Sequence, residues 1–235
     1  MRVIQPGIGG VTLVGRWYSG APMPTGRSEL VVVAVDGWIY AIGGFNGVAF
    51  LDVVEAYDPA SNSWESHPPM PTPRAGAQAA VLNGRIHVVG GYNASGPLNV
   101  HEVYDPVTRT WTSAAELPEA RFFGGLVALR RQLLLATGTT GTTSPPQIRM
   151  WQSGATQWVA RASIPEARQL AGVATVSEQL YVAGGFATTA SDRVDRYDPV
   201  ADAWQLETRL PGGGRQDLQA VGLHHFLHIL GGAGY

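Results

Sequence analysis

Cysteine and lysine are both missing from this chain of 235 residues. Without cysteine there is no disulfide, no thiolate nucleophile and no thiolate metal site. Without lysine there is no Schiff-base chemistry and no lysine for a phosphate-binding P-loop; all 16 basic residues are Arg. Charge is scarce as well. Charged residues make up 14% of the chain, against ~25% in ordinary domains. The net charge of −2 gives no long-range attraction for nucleic acid, and no nucleic-acid partner is expected. Long apolar runs are missing too. None approaches the ~18 residues of a membrane span, and Met1 to Pro6 lacks the apolar block of a signal peptide. No membrane partner is expected, and the cytoplasm is the expected location.

What the chain does have is a repeat. From Arg27, an apolar run Val31–Val35 leads to the turn signal Asp36-Gly37, then to Trp38–Ile42 and Gly43-Gly44. After a polar loop come Val53 to Glu55, the turn Tyr57-Asp58-Pro59, and Trp64. These are four short strands, a to d. The Arg recurs every 47 residues, at Arg74, Arg121, Arg168 and Arg215. The glycine pair recurs at Gly90-Gly91, Gly184-Gly185 and Gly231-Gly232, with Thr137-Gly138 in the middle slot. Tyr-Asp-Pro recurs at Tyr104 and Tyr197, while Trp151 takes the third slot. The tryptophans are Trp17, Trp64, Trp111, Trp158 and Trp204. A four-stranded unit repeated at this length is the signature of a propeller blade.

The double glycine, Tyr-Asp-Pro, the Trp seven residues after the Tyr, and the Arg opening the next unit together resemble the kelch repeat. The resemblance covers nearly the whole chain. It implies an all-β, kelch-type β-propeller with five four-stranded blades. Complete blades are expected at 27–73, 74–120, 121–167 and 168–214, with a divided blade made of 1–26 and 215–235. Trp17, Pro22, Met23, Pro24 and Arg27 match Trp64, Pro69, Met70, Pro71 and Arg74, so the N-terminus reads as the end of that divided blade. Its strand c slot holds Gly10-Val11-Thr12. The ring is expected to close by pairing of N- and C-terminal strands, which removes exposed edges. The alternative is a piece of a six- or seven-bladed ring.

Most recurrent residues read as scaffold. Inner strands such as Val31–Val35 and Leu133-Leu134-Leu135 are expected to be apolar on both faces. The five arginines could crown a rim and attract an anion, but a position filled in every blade suits a structural role better. Glu55, Glu102 and Asp195 precede the Tyr by two, with Arg149 in the third blade, a placement that suggests blade-to-blade hydrogen bonds. His224, His225 and His228 look like a metal cluster, but two fall in a turn, and no metal is expected. His67 and His101 read as isolated. Thr137, Trp151 and the loop from Thr139 to Pro146 mark the third unit as a decayed repeat.

Antiparallel strands put the b–c and d–a loops on one face and the a–b and c–d turns on the other. Kelch-like propellers commonly bind on the first face. The resemblance therefore names Phe45 and Asn46, Tyr92 and Asn93, Thr139, and Phe186, just after the glycines. Just after the arginines it names Ser28, Phe122, Gln169 and Gln216. Aromatics among amides and hydroxyls suit a protein or peptide partner, with a carbohydrate as the other ligand class. No cofactor and no catalytic residue are implied. The enzyme alternative is a carbohydrate-active one. A copper radical oxidase of galactose-oxidase type needs a Tyr–Cys crosslink and is excluded by the absence of Cys. A sialic-acid mutarotase would need only acid and base groups near the channel, for which Glu29, Asp217, Arg27 and the histidines are the candidates.

Overall fold

In a computed structural model of the chain, residues 2–4 and 17–234 are described. β1 (Arg2–Ile4) and β2 (Trp17–Ser19) pair antiparallel. The first four-stranded sheet is β3 (Val31–Val35), β4 (Trp38–Ile42), β5 (Val54–Asp58) and β6 (Ser63–His67). The second starts with β7 (Gln78–Leu82) and β8 (Arg85–Val89), whose following loop carries a small hairpin, β9 (Tyr92–Asn93) and β10 (Gly96–Pro97). It ends with β11 (His101–Asp105) and β12 (Thr110–Ser113). The third holds β13 (Phe122–Leu129), β14 (Gln132–Thr139), β15 (Gln147–Gln152) and β16 (Val159–Ser163). The fourth holds β17 (Gly172–Val176), β18 (Gln179–Ala183), β19 (Arg193–Asp198) and β20 (Ala203–Arg209). A last hairpin pairs β21 (Gln216–Leu223) with β22 (Phe226–Ala233). The inner strands β3, β7, β13, β17 and β21 all line one central channel. This is an all-β propeller.

Local chemistry sets the turns. Asp36-Gly37 and Asn83-Gly84 have positive φ at both residues, which matches the right-handed twist of the strands they join. Asp58, Asp105 and Asp198 each accept the backbone N–H two residues ahead, at 2.9, 3.0 and 2.8 Å. That is the turn expected of Tyr-Asp-Pro. A Cβ on Gly44 (φ 107°) would stand 2.6 Å from the Ser28 carbonyl oxygen, so this position cannot hold a side chain without moving backbone.

The core lies in the seams between successive sheets, in four hydrophobic clusters. Leu133 and Leu135 enter the seam before their blade and Leu134 the seam after it, all at 2% exposure or less. Two bonds recur at the seams. The second glycine donates to the carbonyl of the next blade's Arg: Gly44 to Arg74, Gly91 to Arg121, Gly138 to Arg168 and Gly185 to Arg215, at 2.8–3.0 Å. The strand d tryptophan donates its indole N–H to the preceding blade: Trp64 to Ala21, Trp111 to Pro68, Trp158 to Ala115 and Trp204 to Ala162, at 2.8–3.1 Å.

Two expectations need correction. Val32 is 59% exposed, so β3 is not buried on both faces. Val31 and Val35 pack toward the second sheet, while Val32 faces the seam toward the last hairpin. Among the described residues that fifth seam has no packed cluster, and Val221, Leu223, Phe226 and Leu230 on the hairpin are exposed. The Gly10-Val11-Thr12 strand assigned to that blade lies outside the described residues. The second correction concerns the carboxylates. Glu55, Glu102 and Asp195 bond the Arg that opens their own blade, so these bonds lie within blades and not between them.

Candidate functional site

Four of the five repeat arginines, Arg27, Arg74, Arg121 and Arg168, are scaffold. Arg74, Arg121 and Arg168 are 0–1% exposed. Arg27 reaches Glu55 at 2.6 Å and the Ala41 carbonyl at 2.9 Å; Arg74 reaches Glu102 at 2.5 Å. Arg168 reaches Asp195 at 2.8 Å. Guanidinium groups aimed into the blades and already paired cannot crown a rim.

The histidines divide. His224 lies in the last a–b turn with a positive φ, and His225 follows it, both exposed. Among the described residues no group of three or more His, Cys, Asp or Glu side chains is placed to hold a metal ion. His101 and His67 are not isolated. His101 Nδ1–H donates to the Ala115 carbonyl (3.2 Å), so its Nε2 accepts from His87 Nδ1–H (2.9 Å). His67 Nδ1 meets the Tyr104 hydroxyl at 2.7 Å.

On the b–c/d–a face the two tiers named from the sequence are joined in register. Ser28 bridges Phe45, Ala75 bridges Tyr92, and Gln169 bridges Phe186. Phe122 pairs with Thr139, and Gln216 with Ala233. Four of the polar members serve their own loops. Asn46 accepts the N–H groups of Val48 and Ala49, and Asn93 accepts that of Ser95. Ser28 donates to the Phe45 carbonyl. Thr139 is buried and donates to the Thr143 carbonyl.

The aromatic members come together. Phe45 touches Phe50 (ring centroids 5.0 Å), Phe50 touches Tyr92 (5.4 Å), and Tyr92 touches Phe122 (5.0 Å) and Phe123 (5.8 Å). The five rings, all half-buried, form one ridge over the first three blades. Phe186, on the fourth blade, stands outside these ring contacts and bridges Gln169 and Ala190. The ridge borders the channel mouth, a cavity of about 260 Å³ lined by Glu29, Gly76, Phe123, Leu170 and Asp217 among others. These five residues occupy one repeat slot, two after each Arg, and all have φ between 53° and 59°. Their backbones bond head to tail: Gly76 N–H to Glu29, Phe123 to Gly76, Leu170 to Phe123 and Asp217 to Leu170, each 3.0 Å. The Tyr92 hydroxyl donates to Glu29 at 2.5 Å. Burial, and then this bond to a carboxylate, push the phenol up to about 12.

Phe50 and Phe123 were not among the residues named from the sequence. Phe123 could have been found, because it shares the slot of Glu29 and Asp217. Phe50 has no repeat equivalent to point to it.

Chemically, the face offers a broad aromatic contact surface beside a small cavity that holds two carboxylates. A model of the kelch motif matches residues 26–71, 73–118 and 167–211, together more than half of the chain. The third blade, with Thr137 and Trp151, is not among the matched segments. A segment of 47 residues, 20% of this chain, is 45% identical to Kelch-like protein 35 of Mus musculus and spans 8% of that protein's length. The solved structure of YjhT is similar over 94% of this chain and 81% of its own, with a TM-score of 0.83 and 18% identity. At that identity the likeness is one of fold.

Proposed function

The chain belongs to the kelch-repeat family, and we propose that it is a non-catalytic recognition module that binds a peptide segment of another protein on its b–c/d–a face. The observation that carries this reading is the aromatic ridge Phe45–Phe50–Tyr92–Phe122–Phe123. Aromatic anchors clustered beside a pocket are the usual source of binding energy at protein interfaces. Ser28, Asn46, Asn93 and Thr139 are engaged by their own loops, so contact falls mainly to the rings. Few charges face this surface, and binding should depend only weakly on salt.

The test is selection of binders from a displayed peptide library, followed by affinity measurement on variants. A Phe45→Ala, Tyr92→Ala variant should lose about tenfold or more in affinity, as expected for hot-spot aromatics. Arg130→Ala, Arg131→Ala on the opposite face should change nothing. The reverse pattern would place binding on the a–b turns.

A carbohydrate-active enzyme is the second reading, and the placement of Glu29 and Asp217 in the channel-mouth cavity supports it. Anomer exchange of reducing sugars, followed by NMR with the Asp217→Asn variant as control, separates the two readings.

A further inference from the structure

On the face of the a–b and c–d turns, the seam between the first two blades departs from the repeat. In the first and fourth blades the strand c tyrosine donates to the residue five ahead: Tyr57 to Asn62 at 2.7 Å and Tyr197 to Asp202 at 2.6 Å. In the second blade that slot holds Arg109, in the same left-handed conformation (φ 56°, against 52° and 48°). Arg109 turns outward and bonds Glu65 of the first blade at 2.6 Å. Tyr104 bonds His67 across the seam instead. Burial pushes the Tyr104 phenol up to about 12, so it is the donor and His67 Nδ1 the acceptor.

The rearrangement frames a cavity of about 230 Å³ lined by Asp36, Trp38, Tyr40, Glu65, His67 and Arg109. Its charges do not cancel. Glu65 and Arg109 neutralise each other. His67 is held neutral, because burial and then the Arg109 charge lower its pKa. The Asp36 carboxylate has no hydrogen-bond or ion-pair partner among the described residues. Trp38 and Tyr40 are two apart on β4, so their side chains share one face of the strand. The Tyr40 ring meets His67 edge-on at 5.3 Å, and its hydroxyl has no hydrogen-bond partner among the described residues.

We propose that this cavity is a binding site for an organic ammonium ion, with Asp36 as counter-charge and Trp38 and Tyr40 as the aromatic wall. One uncompensated negative charge calls for a monocation. Aromatic rings beside a carboxylate favour an ammonium through its attraction to the π face, and with Glu65 engaged by Arg109 the single free carboxylate of Asp36 falls far short of the roughly six or more oxygens that a divalent metal takes. The cavity is smaller than the roughly 300 Å³ at which drug-sized sites begin, which limits it to a small head group. The ammonium can come from a free amine or from a lysine side chain of another protein. This chain has no lysine of its own to occupy the site. The site lies on the face opposite the aromatic ridge and stands independently of the peptide-binding reading.

The probes are n-butylammonium, its neutral analogue 1-butanol, and N-acetyl-lysine methylamide, titrated into the full chain and followed by amide NMR shifts. Butylammonium should bind saturably and about tenfold tighter than butanol, as a charge-dependent site requires. Asp36→Asn, in an exposed turn, should weaken the amine about tenfold by removing the counter-charge. Arg109→Asn installs the residue the first blade carries at this slot and frees Glu65; it should tighten the amine several-fold, about threefold or more. A gain of affinity cannot come from misfolding. Tighter binding of the lysine amide assigns the source to a partner's lysine, and tighter butylammonium assigns it to a free amine. The proposal is overturned if butanol binds as well as the amine, if Asp36→Asn has no effect, or if Arg109→Asn weakens binding.

Discussion

Arg149 aims its guanidinium at the carboxylate of Glu119, Nε to Oε1 at 3.2 Å and Nη2 to Oε2 at 2.8 Å. The other complete blades hold a carboxylate where Arg149 stands, and it bonds the Arg that opens the blade. Here Arg121 would face a second cation. Glu119 resolves this by bonding Arg121 as well. It occupies the slot of Thr25 and Thr72, whose hydroxyls donate to Glu55 and Glu102 in the blades before. The carboxylate has moved from strand c to the preceding loop, where it serves two guanidiniums at once.

Glu119→Gln should therefore destabilise the protein by about 2–4 kcal/mol. This is somewhat below the ~3–5 of a fully buried broken pair, because the Glu119 side chain is 29% exposed. Restoring the pattern of the other blades with Glu119→Thr and Arg149→Glu together should recover most of the loss. Urea unfolding of the single and double variants checks this; equal losses in both would mean the bridge is not what holds Arg121.

The buried pair His87–His101 predicts acid sensitivity. Burial, then the neighbouring His101 and Arg85, lower His87 to about 3. Burial chiefly lowers His101 to about 4, with Arg74 adding to it against the Ala115 bond. The folded pKa values lie below the unfolded value of about 6.5. Below that pH the unfolded chain takes up protons that the folded chain refuses. The stability is thus complete above about pH 6.5 and is lost as pH falls toward 4, by up to ~1.4 kcal/mol per pH unit for each ring. Urea midpoints between pH 7.5 and 4.5 should fall more steeply than those of a His87→Phe, His101→Leu variant. Parallel slopes would show that the pair does not titrate on unfolding.

Thr137 is the β-branched residue in a glycine slot. It has a φ of 61°, is 2% exposed, and its hydroxyl has no hydrogen-bond partner among the described residues. Both the strained backbone and the unbonded buried hydroxyl raise the energy of the folded state. Thr137→Gly should stabilise by about 1 kcal/mol. A drop in the melting temperature would mean that packing of the Thr methyl outweighs both.

Trp158 and Trp64 make the same bond to the preceding blade but differ in burial. Trp158 is 6% exposed and packs with Trp151 and Leu117, whereas Trp64 is half-buried. Trp158→Ala should cost about 3–5 kcal/mol, and Trp64→Ala clearly less. Equal losses would mean that the indole bond, and not burial, sets the value.

Closure is a sequence expectation that can be tested directly. Val32, Phe226 and Leu230 are 59%, 69% and 60% exposed beside the fifth seam. If residues 1–20 cover it, deleting them should lower the melting temperature strongly or cause aggregation, because a long apolar edge is left open. A truncated chain that melts like the full one would refute closure from the N-terminus.

The repeat made the fold legible because its cues are local. Asp-Gly turns, Tyr-Asp-Pro, the double glycine and period-two apolar runs each dictate backbone over a few residues, and their recurrence at 47 residues marked where each four-stranded sheet begins. The scaffold role of the arginines followed from the same recurrence. The candidate surface was partly legible: the loop positions were named, and so were Phe45, Tyr92 and Phe122. Their union with Phe50 and Phe123 was not, since Phe50 has no counterpart in the repeat.

By itself, then, the sequence determined the all-β repeat, the strand order within each blade and the face on which each loop emerges, because these depend on neighbours in the chain. Tertiary structure alone decided which side chains meet across a seam. That His101 bonds His87, that Tyr104 gives up its own turn for His67, and that Glu119 stands in for a carboxylate 30 residues away all depend on distances between blades. Sequence spacing carries no record of such distances, because a buried donor takes whichever acceptor packing brings within about 3 Å.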